Sequence, residues 1–248
     1  MLRKIDLNCD MGEGYTTDAL IMPLISSANI ACGYHAGGGE LMRETIRLAI
    51  QHGVAIGAHP SFDDKEGFGR REMQLSSDEI YQIVLDQLNI IRKSAAEEGA
   101  SLHHVKPHGA LYNMAAKDAK IADAISRAIK TIDPFLILYG LPNSASETSA
   151  SQYGIQFYRE VFSDRTYTDE GMLTPRTQPN AMIETAEESV AQVLQIILQE
   201  TVISTSGRKI SMKADTVCIH GDGEHAVEFA QMINKALHQN NITISAIK

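Results

Sequence analysis

The sequence predicts a parallel (β/α) barrel, regular or partly open, with about seven strands. Three observations point there. Short apolar runs alternate with helix-patterned segments almost from end to end, giving seven or eight βα units in 248 residues. Six of those runs stop on ionisable residues where the connection to the next helix begins, and in a parallel barrel such strand ends converge on one face. No G-x-G-x-x-G turn follows the first strand, which weakens the competing doubly wound dinucleotide-binding sheet.

The elements follow in order. "RKIDLNCDM" and "ANIACG" read as the first two strands. "ELMRETIRLAIQHG" places Leu41, Thr45, Leu48 and Ala49 on one helical face and stops at Gly53. "VAIGAHP" is a third strand. The next helix has Ser76 and Glu79 in capping-box spacing, a stripe of Ile80, Ile83, Val84, Leu88 and Ile91, and Gly99 at its end. "LHHVKPHG" reads as strand before the chain turns helical at "ALYN", "AKIADAISRAIKTI" as helix and "FLILYG" as strand. A small-residue stretch, "PNSASETSASQYG", leads to the strand "IQFYREVFSD". A loop rich in proline and glycine, about residues 164 to 183, precedes a helix capped by Thr185 and Glu188. "DTVCIHGD", the helix "EHAVEFAQMINKALHQN" and a last strand "ITISAI" complete the chain. No linker or clean repeat interrupts the pattern, so residues 1–248 are expected to form a single (β/α)-barrel domain.

Composition narrows the function. A formal charge of -9 argues against general affinity for nucleic acid or anionic membrane, both of which need basic surface. No apolar run reaches membrane-spanning length, and the N-terminal residues lack an apolar signal core. Cys9, Cys32 and Cys218 lie within apolar stretches without paired short spacing. They read as reduced buried thiols, and the chain as cytoplasmic.

The strand ends supply the candidate site. The first brings Asn8, Asp10 and Glu13, the second His35 and the third His59. The fourth brings Lys106 and His108, a later one Asp164 and Arg165, and the seventh His220 and Asp222. Lys106 and His108 lie two apart on an extended segment, so both can face the mouth; lysine suits anion binding and histidine proton transfer near neutrality. Asp10, His35 and His59 are either ligands of a divalent metal or hydrogen-bonded strand terminators, and no H-x-x-x-H or H-E-x-x-H spacing favours the metal. The loop "GAHPSFDDKEGFGRREM", with adjacent Arg70 and Arg71, is either an anion clamp closing over the site or a solvated surface loop. His103 and His104 read as surface or packing residues, and His52 and His238 as complements to helix C-termini. No phosphate loop of the G-x-x-x-x-G-K-[ST] kind occurs.

Six segments, "DLNCDMGEGY", "SSANIACGYHAG", "GAHPSFDDKEGFGRR", "VKPHGALYN", "EVFSDRTYTDEGMLTPR" and "CIHGD", together resemble the LamB/YcsF family in the right order from about residue 5 to about 222. The resemblance implies an irregular (β/α) barrel akin to sugar hydrolases and polysaccharide deacetylases. It also implies ATP-dependent opening of 5-oxo-L-proline to L-glutamate, with ADP and phosphate released and magnesium accompanying ATP. Subunits B and C of a 5-oxoprolinase would be the partners, and homo-oligomerisation stays open. Carried over by motif, the polar candidates are Asp6, Asn8, Asp10, Glu13, His35, His59, Lys106, His108, Asp164, Arg165 and Asp222. Two positions depart from the family pattern: Gly38 where Asp is usual and Asn180 where glycine is usual. Asn tolerates positive φ, whereas Gly38 removes one possible ligand.

A five-membered lactam is an unstrained amide, so ATP coupling makes sense if phosphate is transferred to the amide oxygen. The site then needs a cation for the developing charge, a base for water and an acid for the leaving nitrogen. Lys106 with Arg70 or Arg71 suits the first role, Asp10 or Asp222 the second, and His108 or His35 the third. Two other readings remain: an autonomous metal-dependent deacetylase or glycan hydrolase on the same barrel, and a non-catalytic lactam-binding component.

Overall fold

β1 (Arg3–Met11) alternates two kinds of residue. Ile5, Leu7, Cys9 and Met11 point one way, Asp6, Asn8 and Asp10 the other, and all seven are buried. A strand buried on both faces belongs in the middle of a layered structure. In the computed structural model, which describes residues 3–221 and 225–246, β1 is the hub of a closed parallel barrel.

After β1 come α1 (Asp18–Ile21), a 3-10 turn (Met22–Leu24), β2 (Ser27–Ala31), α2 (Gly39–His52), β3 (Ala55–His59) and α3 (Ser77–Glu97). Then follow β4 (His104–Val105), α4 (Gly109–Ala115), α5 (Ala119–Ile132), β5 (Ile137–Gly140), α6 (Ala145–Tyr153) and β6 (Phe157–Phe162). The last third holds α7 (Ala186–Gln199), β7 (Thr201–Ile203), β8 (Lys209–Ser211), β9 (Thr216–Ile219), α8 (Ala226–Gln239) and β10 (Ile242–Ile244). Strands β1-β2-β3-β4-β5-β6-β9 form the ring, closed by β9 against β1 with Asp6 opposite Thr216. β10 pairs with the start of β1 outside the ring, and β7–β8 is an antiparallel hairpin.

The helices pack apolar stripes against the outer face of the ring. α3 buries Ile80, Val84, Leu88 and Ile91, each worth about 1.5–3 kcal/mol when fully buried, and starts at the Ser76–Glu79 capping box that the spacing predicts. α7 starts at Thr185, whose hydroxyl accepts from Glu188 N at 3.3 Å. Among the described residues no helix is long and apolar enough to cross a membrane.

Three elements differ from the sequence reading. The fourth strand is only two residues long, because Pro107 cannot donate to a ladder and His108 already caps α4. The stretch "PNSASETSASQYG" contains α6, whose Ser144 side chain accepts from Glu147 N; its small residues carry no apolar stripe to reveal it. The β7–β8 hairpin, three residues a side, is shorter than the length at which alternation shows.

Of the two departures from the family pattern, Asn180 has φ of +61°, as its tolerance of that region predicts. Gly38 has φ of +90° and immediately precedes α2.

Candidate active site

Unlike a barrel filled with branched aliphatic residues, this one carries a polar column along its axis. At the bottom, Asp6 accepts from Ser26 Oγ (2.6 Å), Ser27 Oγ (2.7 Å) and Thr216 Oγ1 (2.6 Å). Above it, Asn8 Nδ2 donates to Thr216 Oγ1, and Asn29 Nδ2 donates to both Asn8 Oδ1 and Asp10 Oδ1. His104 is fully buried in the same layer, stacked on Tyr139 and donating from Nε2 to Asn29 Oδ1 at 2.7 Å. Gly57 makes room for it: a Cβ there would lie 2.0 Å from His104 Nε2. His104 is therefore a packing residue of the barrel interior, and Asp6 and Asn8 belong to the column beneath the mouth.

At the top of the column stands Lys106. Its Nζ donates to Asp10 Oδ1 at 2.7 Å and lies 3.2 Å from Glu160 Oε1 and 3.0 Å from Cys218 Sγ. Burial alone would raise the Asp10 carboxyl, but His59 and the Lys106 ammonium together hold it well below the usual carboxylate range. Burial alone would likewise pull the ammonium down, and Asp10, Cys218 and Glu160 hold it well above the usual lysine value. For Glu160 burial wins over Lys106, and its carboxyl is pushed up. One ammonium thus faces two carboxyl groups with opposite tendencies, Asp10 ionised and Glu160 inclined to keep its proton.

Beside this group Glu13, His35, His59 and His108 bring one donor atom each within 4.8 Å of one another. The hydrogens can be placed from partners that only accept. His59 Nδ1 donates to Lys106 O (2.7 Å) and His108 Nε2 to Phe68 O (2.8 Å), so His59 Nε2 and His108 Nδ1 turn toward each other at 2.9 Å. Glu13 Oε1 is 2.9 Å from His35 Nε2, 3.6 Å from His108 Nδ1 and 3.9 Å from His59 Nε2. The His35 and His108 rings stack at 3.8 Å. Burial, aided by the nearby His59, pushes His35 down to about 3 and His108 well below the ordinary histidine value. Gly69, at φ +64°, lets its loop close on this pair; a Cβ there would meet His108 Cδ2 at 2.9 Å and His35 Cβ at 3.0 Å.

On the opposite side His220 Nδ1 lies 2.8 Å from Asp164 Oδ2. Burial would raise the Asp164 carboxyl, but His220 holds it below its usual value. With Nδ1 committed to the carboxylate, the other imidazole nitrogen of His220 is left for chemistry. His220 lines the cavity.

These groups surround one cavity of about 440 Å³. Asp10, Glu13, His59, Lys106, His108 and His220 line it together with Arg70, Lys117, Arg165 and Arg176. Most of the sequence-predicted residues therefore converge. His35 sits immediately behind His108 and Asp164 behind His220. Arg165 reaches the cavity while its guanidinium also holds the carbonyls of Thr174 and Ala181, and burial brings it down to about 10. Arg70 lies over the Phe68 ring at the cavity wall. Arg71 does not join it: its Nε donates to Asp64 Oδ1 at 2.8 Å, which ties the loop down away from the site. Asp222 lies outside the described residues.

Two residues gain a role that the sequence alone does not give them. Glu160 reads as part of an ordinary strand, although a carboxylate between Tyr158 and Phe162 at period two marks an inward-facing acid. His220 stands visibly at a strand end, but its partner Asp164 is 56 residues away, so no local pattern pairs the two.

The model of the LamB/YcsF family matches residues 5–248. A protein named as the A subunit of 5-oxoprolinase, from Tolumonas auensis, is 50% identical over 99% of this chain and 100% of its own length. One of the same name from Bacillus cereus is 49% identical over the whole of both chains. The crystal structure of a lactam utilization protein from Thermus thermophilus superposes with a TM-score of 0.93 at 43% identity, covering 98% of this chain and 100% of that one. A family 4 carbohydrate esterase from Streptomyces lividans shares the fold, at 12% identity and a TM-score of 0.53 over 99% of this chain and 93% of that one.

Proposed function

The chain belongs to the LamB/YcsF family, and from that premise we propose that it is the A subunit of a 5-oxoprolinase. It is a hydrolase acting on a cyclic amide, opening 5-oxo-L-proline to L-glutamate with ATP as co-substrate. Full-length identity near one half to proteins of that name supports this reading. The observation that carries the chemistry is the Asp10–Lys106 pair: an ionised carboxylate and an ammonium, 2.7 Å apart, both facing one cavity.

Each demand of the reaction meets a side chain. The lactam carries a carboxylate, and a phosphorylated lactam oxygen adds further negative charge. Arg165, Arg176 and Lys117 at the cavity wall suit the carboxylate, and Lys106 suits the oxygen whose charge develops at the reacting carbon. Asp10 is the base that orients water for attack on that carbon, being held ionised at neutral pH. As the C–N bond breaks, the ring nitrogen takes a proton from His220, whose imidazole is aligned by Asp164, and the γ-glutamyl phosphate that results is hydrolysed by a second water to L-glutamate and phosphate. His35 and His108 serve poorly as that acid, because burial holds both neutral.

Magnesium travels with the phosphates of ATP in this scheme. It is a hard cation that takes oxygen ligands, and the histidine-rich wall does not suit it. The naming of the relatives as an A subunit implies an enzyme of several subunits. Subunits B and C are the proposed partners, and the cytoplasm the proposed compartment, in keeping with three free buried cysteines.

The test is ATP-dependent glutamate release from 5-oxo-L-proline, measured for the purified chain alone and after adding subunits B and C. Turnover that appears only with the partners is expected. Equal turnover by the chain alone, or none in the complete mixture, would overturn the assignment.

A further inference from the structure

We propose that Glu13, His35, His59 and His108 form a binding site for one divalent first-row transition metal of the zinc and manganese class. The site rests on donor geometry in the proposed active-site cavity and does not need the oxoprolinase reading to be right.

Lone pairs point to a cation here. The carbonyl oxygens of Lys106 and Phe68 can only accept, so they fix the hydrogens of His59 on Nδ1 and of His108 on Nε2. With both rings neutral, two ring nitrogens without hydrogen face each other at 2.9 Å, with Glu13 Oε1 3.6 and 3.9 Å away. Lone pairs at that distance repel unless a proton or a metal ion lies between them. A metal ion satisfies both nitrogens and the carboxylate together.

The distances agree. Ligands bound tetrahedrally at Zn–N distances of about 2.0–2.1 Å lie about 3.3–3.4 Å from one another. The separations here, 2.9, 2.9, 3.6 and 3.9 Å, straddle that value. Support behind the ligands is also in place. Histidine ligands characteristically donate their remote N–H to a carbonyl or carboxylate, and His59 and His108 both do. His35 differs: its Nε2 is the atom beside Glu13, and its remote Nδ1 is buried without a hydrogen-bond partner.

The donor chemistry selects the metal. Three imidazoles and one carboxylate suit zinc, manganese, iron, cobalt or nickel, and do not suit magnesium or calcium. Asp10 stands beside the group rather than in it, because Lys106 and Asn29 already occupy its Oδ1, although its Oδ2 lies 3.4 Å from His59 Nε2. The sequence-level set of Asp10, His35 and His59 is thereby replaced by one that exchanges Asp10 for Glu13 and adds His108.

The experiment is elemental analysis of the full-length protein, followed by stripping with a strong chelator and readdition of zinc or manganese chloride while thermal unfolding is monitored. Expected are about one transition-metal ion per chain as purified and a rise in Tm of several degrees on readdition. His59→Gln and His108→Gln should each lower the metal content to below about 0.1 ion per chain, while His52→Ala on the α2 surface leaves it unchanged. Cobalt loading of the stripped protein should give visible ligand-field bands that the two variants lack. Purified protein with no transition metal, and the same Tm before and after zinc or manganese, would overturn the proposal whatever the variants do. Inactivity of a metal-replete protein on 5-oxoproline would count against the oxoprolinase reading alone.

Discussion

Asp164 and His220, 56 residues apart in the chain, meet at 2.8 Å where the adjacent strands β6 and β9 reach the barrel mouth, and form the only carboxylate–imidazole pair of the described residues on that side of the cavity. The carboxylate fixes which imidazole nitrogen carries hydrogen and therefore which one faces substrate. Asp164→Asn keeps the shape but allows the amide to present either end to Nδ1. In the reconstituted enzyme, kcat is expected to fall by about 10²–10⁴-fold with KM changed little, since the loss is of proton transfer in the transition state. A loss confined to KM would show that the pair only binds substrate.

The cationic wall predicts the opposite split. Arg176 lines the cavity, and its charge helps to lower Arg165, so the two guanidinium groups repel each other and an anion that enters beside them relieves that repulsion. Arg176→Ala removes one binding charge without touching the column below. KM for 5-oxo-L-proline should rise about tenfold or more while kcat stays within a few-fold. Steady-state kinetics at two ionic strengths would check this, because an electrostatic contribution at the wall weakens with salt.

His104 makes a stability prediction with a definite sign. Burial holds its imidazole well below the ordinary value of 6.5, so the folded protein does not take up the proton that the unfolded chain accepts below that pH. The contribution of neutral His104 is complete above about pH 6.5 and is lost as pH falls below it. His104→Gln removes this group from the balance. The slope of unfolding free energy against pH between about 6 and 5 should drop by about one proton, or 1.4 kcal/mol per pH unit. Urea denaturation at several pH values measures it, and an unchanged slope would show that His104 is protonated in the barrel.

How much of this could be read from the sequence divides by the range of the interactions. Strand and helix periodicity is local, so α2, α3, α5, α7 and α8 stand where the stripes and caps put them. The convergence of strand ends follows from barrel topology, which is why Asp10, His59, Lys106 and His108 reach one cavity. What stayed hidden depends on pairing across the ring. Asp6 and Asn8 look like rim residues in "IDLNCD" but are consumed by Thr216, Ser26, Ser27 and Asn29 in the column. Arg71, next to Arg70, is taken by Asp64 within its own loop. Glu160 acquires meaning only because Lys106, on a non-adjacent strand, lies 3.2 Å away.

Gly57 links that interior to the backbone. It pairs with His104 across β3 and β4, and a methyl group on it would overlap the imidazole ring at 2.0–2.4 Å. Gly57→Ala should destabilise by about 3 kcal/mol or more, because a packed barrel has nowhere to move the ring and the Asn29 hydrogen bond breaks with it. Adding His104→Ser to Gly57→Ala empties the space and should recover part of the loss. Thermal melts of the two single variants and the double variant give the coupling. Additive losses would mean that the ring is not the obstacle.

The two carboxyl groups around Lys106 should respond unequally to neutralisation. Asp10 is held ionised and bonded to the ammonium at 2.7 Å, so Asp10→Asn removes the charge that makes a buried lysine tolerable. Loss of one partner of a buried pair costs about 3–5 kcal/mol, reduced here to the extent that Glu160 gives up its proton and takes over. Glu160, with its carboxyl pushed up by burial, holds its charge less firmly than Asp10, so Glu160→Gln should cost less than Asp10→Asn at neutral pH. The acid limbs should differ as well. The depressed Asp10 contributes stability above the unfolded carboxylate value that is lost as pH falls through its folded value, so Asp10→Asn flattens the stability curve on the acid side. Glu160→Gln acts in the other direction, abolishing a loss that grows as pH rises above the unfolded value of 4.5. Denaturant melts from acid to neutral pH would separate the pair: equal costs for the two substitutions would mean that both carboxyl groups share the ammonium evenly, leaving no basis for casting Asp10 alone as the base.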